Sequence, residues 1–103
     1  MKKILLVCSA GMSTSLLVSK MKKYAIENNF DTKIEAVAID AADRVIENEK
    51  IEVVLFGPQV RFVLDKFKIK YPNLKMDVIP MQDYGLMNGE NVFKQALKLN
   101  CED

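Results

Sequence analysis

Two strands are expected, Lys3 to Cys8 and Ile51 to Phe56, around the runs Ile4-Leu5-Leu6-Val7 and Val53-Val54-Leu55-Phe56, which contain no polar residue, and each is followed by a segment whose apolar residues recur at helical spacing. A strand with one wet face alternates polar with apolar residues, so a run without alternation belongs inside a sheet covered on both faces. After the first run, Leu17, Met21, Tyr24 and Ala25 share a helical face opposite Lys20, Lys22, Lys23 and Glu27. This predicts a helix from Ser13 that ends near Asn28-Asn29. After the second run, Gly57-Pro58 turns the chain into a helix with Pro58 suited to its first position and Val60, Val63, Leu64 and Phe67 as its stripe.

The remaining segments fit the same alternation. Thr32 to Ile39 places Ile34, Ala36 and Ala38 on one face and Lys33 and Glu35 on the other, as a half-exposed edge strand does. Asp40 is the expected N-cap of a short helix through Asn48 in which Ala42, Val45 and Ile46 face inward. Tyr71-Pro72-Asn73 ends the Pro58 helix, Lys75 to Ile79 forms a short strand, and Met81 to Gly89 reads as a loop. A last helix carries Val92, Phe93, Ala96 and Leu97, with Asn100 to Asp103 expected to fray. Strands alternating with helices imply βαβ units and an α/β fold: a four-stranded parallel open-twisted sheet flanked by helices on both faces, flavodoxin-like. Ligands of such folds bind beyond the C-terminal strand ends where the strand order reverses, and Cys8 ends the first strand.

A chain of 103 residues that is 50% apolar is of the size of one core, so residues 1–103 read as a single domain. No apolar stretch approaches the roughly 20 residues that span a bilayer, so no membrane segment of its own is expected. Met1-Lys2-Lys3 precedes an apolar run that stops at Cys8-Ser9, so no export signal is read and a cytoplasmic, reducing environment is expected, with Cys8 and Cys101 as free thiols. A net charge of +1, with lysines scattered and no aromatic residues among them, gives no footprint for nucleic acid. Histidine is absent, which removes His-ligated metal sites, Ser-His-Asp triads and Cys-His pairs; neither a metal nor a cofactor is expected.

The segment Cys8-Ser9-Ala10-Gly11-Met12-Ser13-Thr14-Ser15 joins a buried strand to a helix through small residues and hydroxyls. Small residues let backbone N–H groups converge on an anion, and the first amides of the helix add partial positive charge. A thiol in that setting is expected to be acidified, and thiolate is the nucleophilic form. The pattern points to Cys8 attacking phosphorus while the loop amides and the hydroxyls of Ser9, Ser13, Thr14 or Ser15 hold the thiophosphate. The plain alternative is a small buried residue ending a strand, beside hydroxyls that merely cap a helix.

Cys8 to Leu17 closely resembles the active-site segment of the lactose and cellobiose class of phosphotransferase-system IIB proteins, and the likeness continues through Gly57-Pro58-Gln59 and Tyr84-Gly85-Leu86-Met87-Asn88-Gly89. The resemblance implies a phosphotransferase acting in sugar uptake. Cys8 would take a phosphoryl group from the phosphohistidine of a IIA protein and pass it to a sugar of the cellobiose or β-glucoside, chitobiose or lactose class bound by the membrane IIC permease. A monomer without a cofactor is expected. In the expected fold Gly57, Pro58 and Gln59 lie at the end of a neighbouring strand, where Gln59 either donates to phosphate or only serves capping and turn geometry, and Met12 is either an apolar contact for partners or packs on its own helix. Family members commonly carry Asp where this chain has Asn88, so that position is given no catalytic role, and Tyr84 is read as a packing or docking residue. Cys101 is expected to have no role.

The main rival is a low-molecular-weight tyrosine phosphatase or related arsenate reductase, which also sets a cysteine on a phosphate loop after the first strand of a similar fold. That chemistry needs an arginine at the place held by Thr14. A guanidinium clamps phosphate with paired donors and offsets charge in the transition state, which a hydroxyl does not. Asp83 is then a solvated loop residue and not a general acid. A phosphoaspartate receiver would need an acidic cluster where Val7-Cys8 and Phe56-Gly57 stand, and a flavin module would want more loop aromatics than Tyr84.

Overall fold

The structure, a computed structural model, describes residues 2–9 and 11–101, with Lys2, Gly11, Met12, Ser13 and Cys101 described by backbone alone. In order, the elements are β1 (Lys2–Cys8), α1 (Gly11–Glu27), β2 (Thr32–Ala38), α2 (Ile39–Asn48) and β3 (Val53–Phe56). There follow a 3-10 helix (Pro58–Val63), α3 (Leu64–Lys70), β4 (Lys75–Val78), α4 (Met81–Gly85) and α5 (Gly89–Cys101). The strands form one parallel sheet in the order β2-β1-β3-β4. β1 and β3 are interior and run without polar alternation for a visible reason. Ile4, Leu6, Val53 and Leu55 enter the core beneath α1 and α5, while Leu5, Val7, Val54 and Phe56 enter the core beneath α2 and α3. The expected four-stranded α/β sheet with helices on both faces is the one observed.

The ends of α1 follow from local chemistry. Asn29 adopts φ 62°, and Phe30 N–H donates to the Ala25 carbonyl at 2.8 Å while Asn29 N–H donates to Ile26 at 3.2 Å. This is a Schellman closure, with asparagine in the left-handed position usually given to glycine. It aims the Phe30 ring at Phe93 of α5, with centroids 5.2 Å apart. The same closure ends α4, where Met87 has φ 50° and Asn88 N–H reaches the Asp83 carbonyl at 2.9 Å. Asn88 then caps α5, its Oδ1 accepting from Asn91 N–H at 3.0 Å.

Several boundaries differ from the sequence expectation. Asp40 is not the N-cap of α2; Ala38 holds that position without a side-chain bond, and Asp40 lies in the first turn, where its charge still favours the helix dipole. The segment after Pro58 is not one regular helix: Val60, at φ −118° and ψ 20°, breaks helical geometry, and a 3-10 helix precedes α3. The stripe survives, because Val60 and Phe67 are both buried. Met81 to Gly89 is not all loop, since Met81–Gly85 forms a short helix after Pro80. Asn100 does not fray, as α5 runs to Cys101 and the Asn100 carbonyl accepts from Lys75 Nζ at 2.8 Å.

A polar clasp joins α2 to α3. Tyr71 donates to Asp43 Oδ1 at 2.6 Å and lies 2.9 Å from Glu47 Oε2, while Lys70 pairs with Asp43 at 3.0 Å. The tyrosine bond, aided by Lys70, holds the Asp43 carboxyl below its ordinary value; burial and the two carboxylates push the Tyr71 phenol well above its own. Asp43 therefore adds stability that is present above its unfolded pKa, near 4, and is lost as pH falls through the lower folded value. The raised Tyr71 adds stability that is full below about pH 10 and lost as pH rises through its folded value. Tyr71→Phe should cost about 1 kcal/mol at neutral pH, and its deficit against the parent chain should shrink below about pH 4. Urea unfolding across pH tests this; an unchanged deficit at low pH would mean that the bond does not depend on the Asp43 charge.

Candidate active site

Cys8 is the last residue of β1, and β1 lies between β2 and β3, the point at which the strand order reverses. Val7 pairs with Phe56 and Cys8 with Ala38, so the thiol leaves the sheet between the ends of two neighbouring strands. Cys8 is a free cysteine, 3% exposed, and its Sγ lies 3.6 Å from the Val37 carbonyl, to which the thiol donates. Ser9 beside it is exposed, and α1 begins at Gly11. The free N–H groups at the start of a helix and their partial positive charge therefore lie one short loop from the sulfur.

Gly57 continues β3 past its paired residues. Its N–H donates to the Val7 carbonyl at 2.9 Å, which fixes the residue before the cysteine. A side chain at Gly57 would meet the Val7 carbonyl oxygen at 3.6 Å, Tyr84 Cε1 at 3.7 Å and Gln59 Oε1 at 3.5 Å. Gln59, although exposed, thus folds back over Gly57, and Pro58 is buried beneath it. Thr14 is 1% exposed and its hydroxyl lies 3.4 Å from that of Tyr84. Tyr84 is 8% exposed, so α4 reaches the site through this ring.

The structure thus brings Cys8, Thr14, Pro58 and Gln59 to the C-terminal end of the sheet. Thr14 turns into the protein toward Tyr84, whereas Ser9 and Ser15 are exposed. Ala10 and the side chains of Gly11, Met12, Ser13 and Cys101 lie outside the described residues, and with them the expectations placed on those groups. Asp83 accepts from Asn91 Nδ2 at 3.0 Å. Among the described residues no cluster of His, Cys, Asp or Glu could hold a metal ion. A groove lined by Lys3, Lys22, Ile26, Phe30 and Thr32 opens where β1 and β2 begin, at the opposite end of the sheet from Cys8, and has no part in this site. Nothing in the local sequence pairs Tyr84 with Thr14, because the two residues lie in separate elements, α4 and α1.

The chain matches the family described as PTS system, lactose/cellobiose specific IIB subunit, over residues 3–95. It belongs to that family. This IIB subunit is therefore a phosphotransferase of the sugar phosphotransferase system. It is 46% identical over 102 residues to an oligo-beta-mannoside-specific EIIB component of Bacillus subtilis (strain 168), with 96% of each chain covered. It is 46% identical over 103 residues to a galactose-specific EIIB component of Lactococcus lactis subsp. cremoris (strain MG1363), with 95% of each covered. A cellobiose-specific EIIB component of Lactococcus lactis subsp. lactis (strain IL1403) is 45% identical over 103 residues, again with 95% of each covered. Among solved structures, the cellobiose-specific IIB component from Borrelia burgdorferi superimposes with a TM-score of 0.78 at 41% identity, covering 95% of this chain and 90% of that one. The lactose-specific IIB domain from Streptococcus pneumoniae superimposes with a TM-score of 0.83 at 14% identity, covering 94% of this chain and 95% of that one, a likeness of fold alone. IIB subunits work with IIA and IIC partners. Among the described residues no helix is long and apolar enough to cross a membrane.

Proposed function

We propose that this IIB subunit carries its phosphoryl group on Cys8, as one cytoplasmic, monomeric domain spanning residues 1–103. The observation that carries this reading is the placement of a free cysteine at the end of β1, where the strand order reverses and α1 begins. The Cys8 thiolate attacks phosphorus of a IIA phosphohistidine, the P–N bond breaks, and its electron pair returns to the imidazole. In the second transfer a hydroxyl oxygen of a sugar held by the IIC permease attacks phosphorus and releases its proton to water. The S–P bond then breaks and the thiolate is restored. Amides of the loop from Ser9 to Ser15 hold the phosphoryl dianion between these events, with hydroxyls of the same loop and Gln59 as further donors.

The sugar is of the cellobiose or β-glucoside, chitobiose or lactose class. Relatives named for an oligo-beta-mannoside, galactose and cellobiose stand at 46%, 46% and 45% identity, so sugar choice does not track overall similarity in this subunit and belongs to the permease that holds the sugar.

A carrier must keep its phosphocysteine until the sugar arrives. Thr14 occupies the position at which a phosphatase loop needs arginine, and its side chain is buried against Tyr84. With no guanidinium at that position to offset charge on an attacked phosphorus, water attack is left slow. The isolated protein should show no measurable turnover of an aryl phosphate; brisk hydrolysis would replace the carrier reading with the phosphatase one.

The direct test is to incubate the protein with phosphoenolpyruvate, the general phosphotransferase proteins and a cognate IIA, then to read intact mass and map the modified residue. One phosphoryl group on Cys8, absent without IIA, is the expected result. No adduct with a IIA shown to be active on another IIB would overturn the assignment.

A further inference from the structure

The only buried polar residue outside the backbone ladders, among those described, is Thr14 at 1% exposure, and it faces a tyrosine at 8%. Stability gives no reason for this pair. A valine and a phenylalanine would fill the same space without removing two hydroxyls from water, and replacing both partners of a buried hydrogen bond by apolar groups of the same shape is nearly neutral or stabilising. What the hydroxyls do have is a location. Thr14 lies in the first turn of α1, which starts at Gly11, and Tyr84 lies at the hub of the opposing segment. Its N–H donates to Pro80 at 3.0 Å, its carbonyl accepts from Met87 at 3.1 Å, and its ring edge faces Gly57, whose N–H fixes Val7, the residue before Cys8.

We propose that Tyr84 is a positioning residue for phosphoryl transfer: through Thr14 it sets the first turn of α1, and through Gly57 the end of β3, on either side of the Cys8 loop. The inference rests on the carrier reading of Cys8. The two hydroxyls stand 3.4 Å apart, beyond the usual separation of about 2.7–2.8 Å. Hydrogen bonds of resting sites are often long and tighten in the reacting complex. The pair should therefore stand closer once a dianion is held at the start of α1.

The test uses single-turnover transfer from phosphorylated IIA to the full chain, at saturating and at limiting IIA, beside thermal unfolding. Tyr84→Phe and Thr14→Val should each slow the saturated rate about tenfold with the half-saturating concentration of IIA unchanged, a barrier change of about 1.4 kcal/mol on the scale of one hydrogen bond. The double variant should be no slower than the slower single, since the Thr14–Tyr84 bond is lost in all three, and should unfold within about 3 °C of the parent. Thr14→Ser, which keeps the hydroxyl and loses a methyl, should recover most of the rate lost in Thr14→Val. That contrast decides the matter alone if Tyr84→Phe does not fold. A double variant with the parent's rate, losses that multiply, or a rate that falls only in step with thermal stability would each overturn the positioning role while leaving the carrier reading intact. A parent chain that takes no phosphoryl group would instead sink the carrier reading, and this proposal with it.

Discussion

Cys8→Ser should take up no phosphoryl group from phosphorylated IIA, a fall on the order of 10⁴-fold or more, the scale on which loss of a nucleophile is felt. A serine hydroxyl stays protonated at neutral pH and needs a base to remove its proton, and this chain contains no histidine to serve as one. The substitution isolates chemistry from folding. Cys8 is 3% exposed and its thiol already donates to the Val37 carbonyl. A hydroxyl can donate to the same carbonyl, so the variant should unfold within about 1 kcal/mol of the parent. Cys101→Ser is the matched control and should accept phosphoryl at the parent's rate. If Cys8→Ser were labelled and Cys101→Ser were not, the loop after β1 would be an ordinary strand-to-helix turn and the carrier would lie at the other end of the chain.

What made the fold legible was double coverage. In β1 and β3 consecutive residues feed opposite cores, so both strands had to be apolar throughout, and that requirement is visible without any structure. The helices were legible where burial has a period. Ala42, Val45 and Ile46 pack under α2, and Leu17, Met21 and Ala25 under α1, as their spacing demands. Five residues at Met81–Gly85 are too few to show a period, and the force that winds them is Tyr84 reaching the core from the second half of that turn. Asp40 misled because the N-cap preference is a propensity. Here β2 runs straight into α2, leaving Ala38 at the cap and Asp40 as the second residue of the helix.

The site divides in the same way. Cys8 and its loop were readable because a thiol, small residues and hydroxyls fall together in the chain just where an apolar strand ends. The support for that loop was not readable. Thr14 has the composition of a phosphate-binding hydroxyl, and nothing in its neighbourhood in the chain says that a tyrosine from α4 stands within 3.4 Å of it. Gln59 was placed near the site by topology, but its folding back over Gly57 is a contact that the local sequence does not announce. Local composition announces a reactive atom; long-range packing decides how that atom is held.

Outside the nucleophile, Gly89→Ala is the most damaging small substitution to expect. Gly89 is the first residue of α5, and no glycine in the described chain has a positive φ, so conformation does not demand it. Space does. A Cβ at this position would lie 2.6 Å from the carbonyl carbon of Lys20 and 2.7 Å from the nitrogen of Met21, both backbone atoms of α1 that no rotamer change can move. Relief requires α5 to lift, yet Val92, Phe93 and Ala96 are buried to within 1% and the Phe93 ring is wedged against Tyr24 and Phe30. Overpacking of this kind costs about 1–3 kcal/mol, and the higher helix propensity of alanine offsets less than about 1 kcal/mol of it. A net loss of about 2 kcal/mol should lower the unfolding midpoint by roughly 8–16 °C in a domain of this size. Gly85→Ala is the internal comparison: a Cβ there meets nothing within 4 Å, and that variant should match or slightly exceed the parent. Because α5 begins directly after the turn that carries Tyr84, lifting it should also slow transfer to Cys8, joining a helix contact on one face of the sheet to chemistry at its end. A Gly89→Ala chain as stable as Gly85→Ala would show that α1 and α5 do not touch backbone to backbone, and that the segment holding Tyr84 is not anchored from this side.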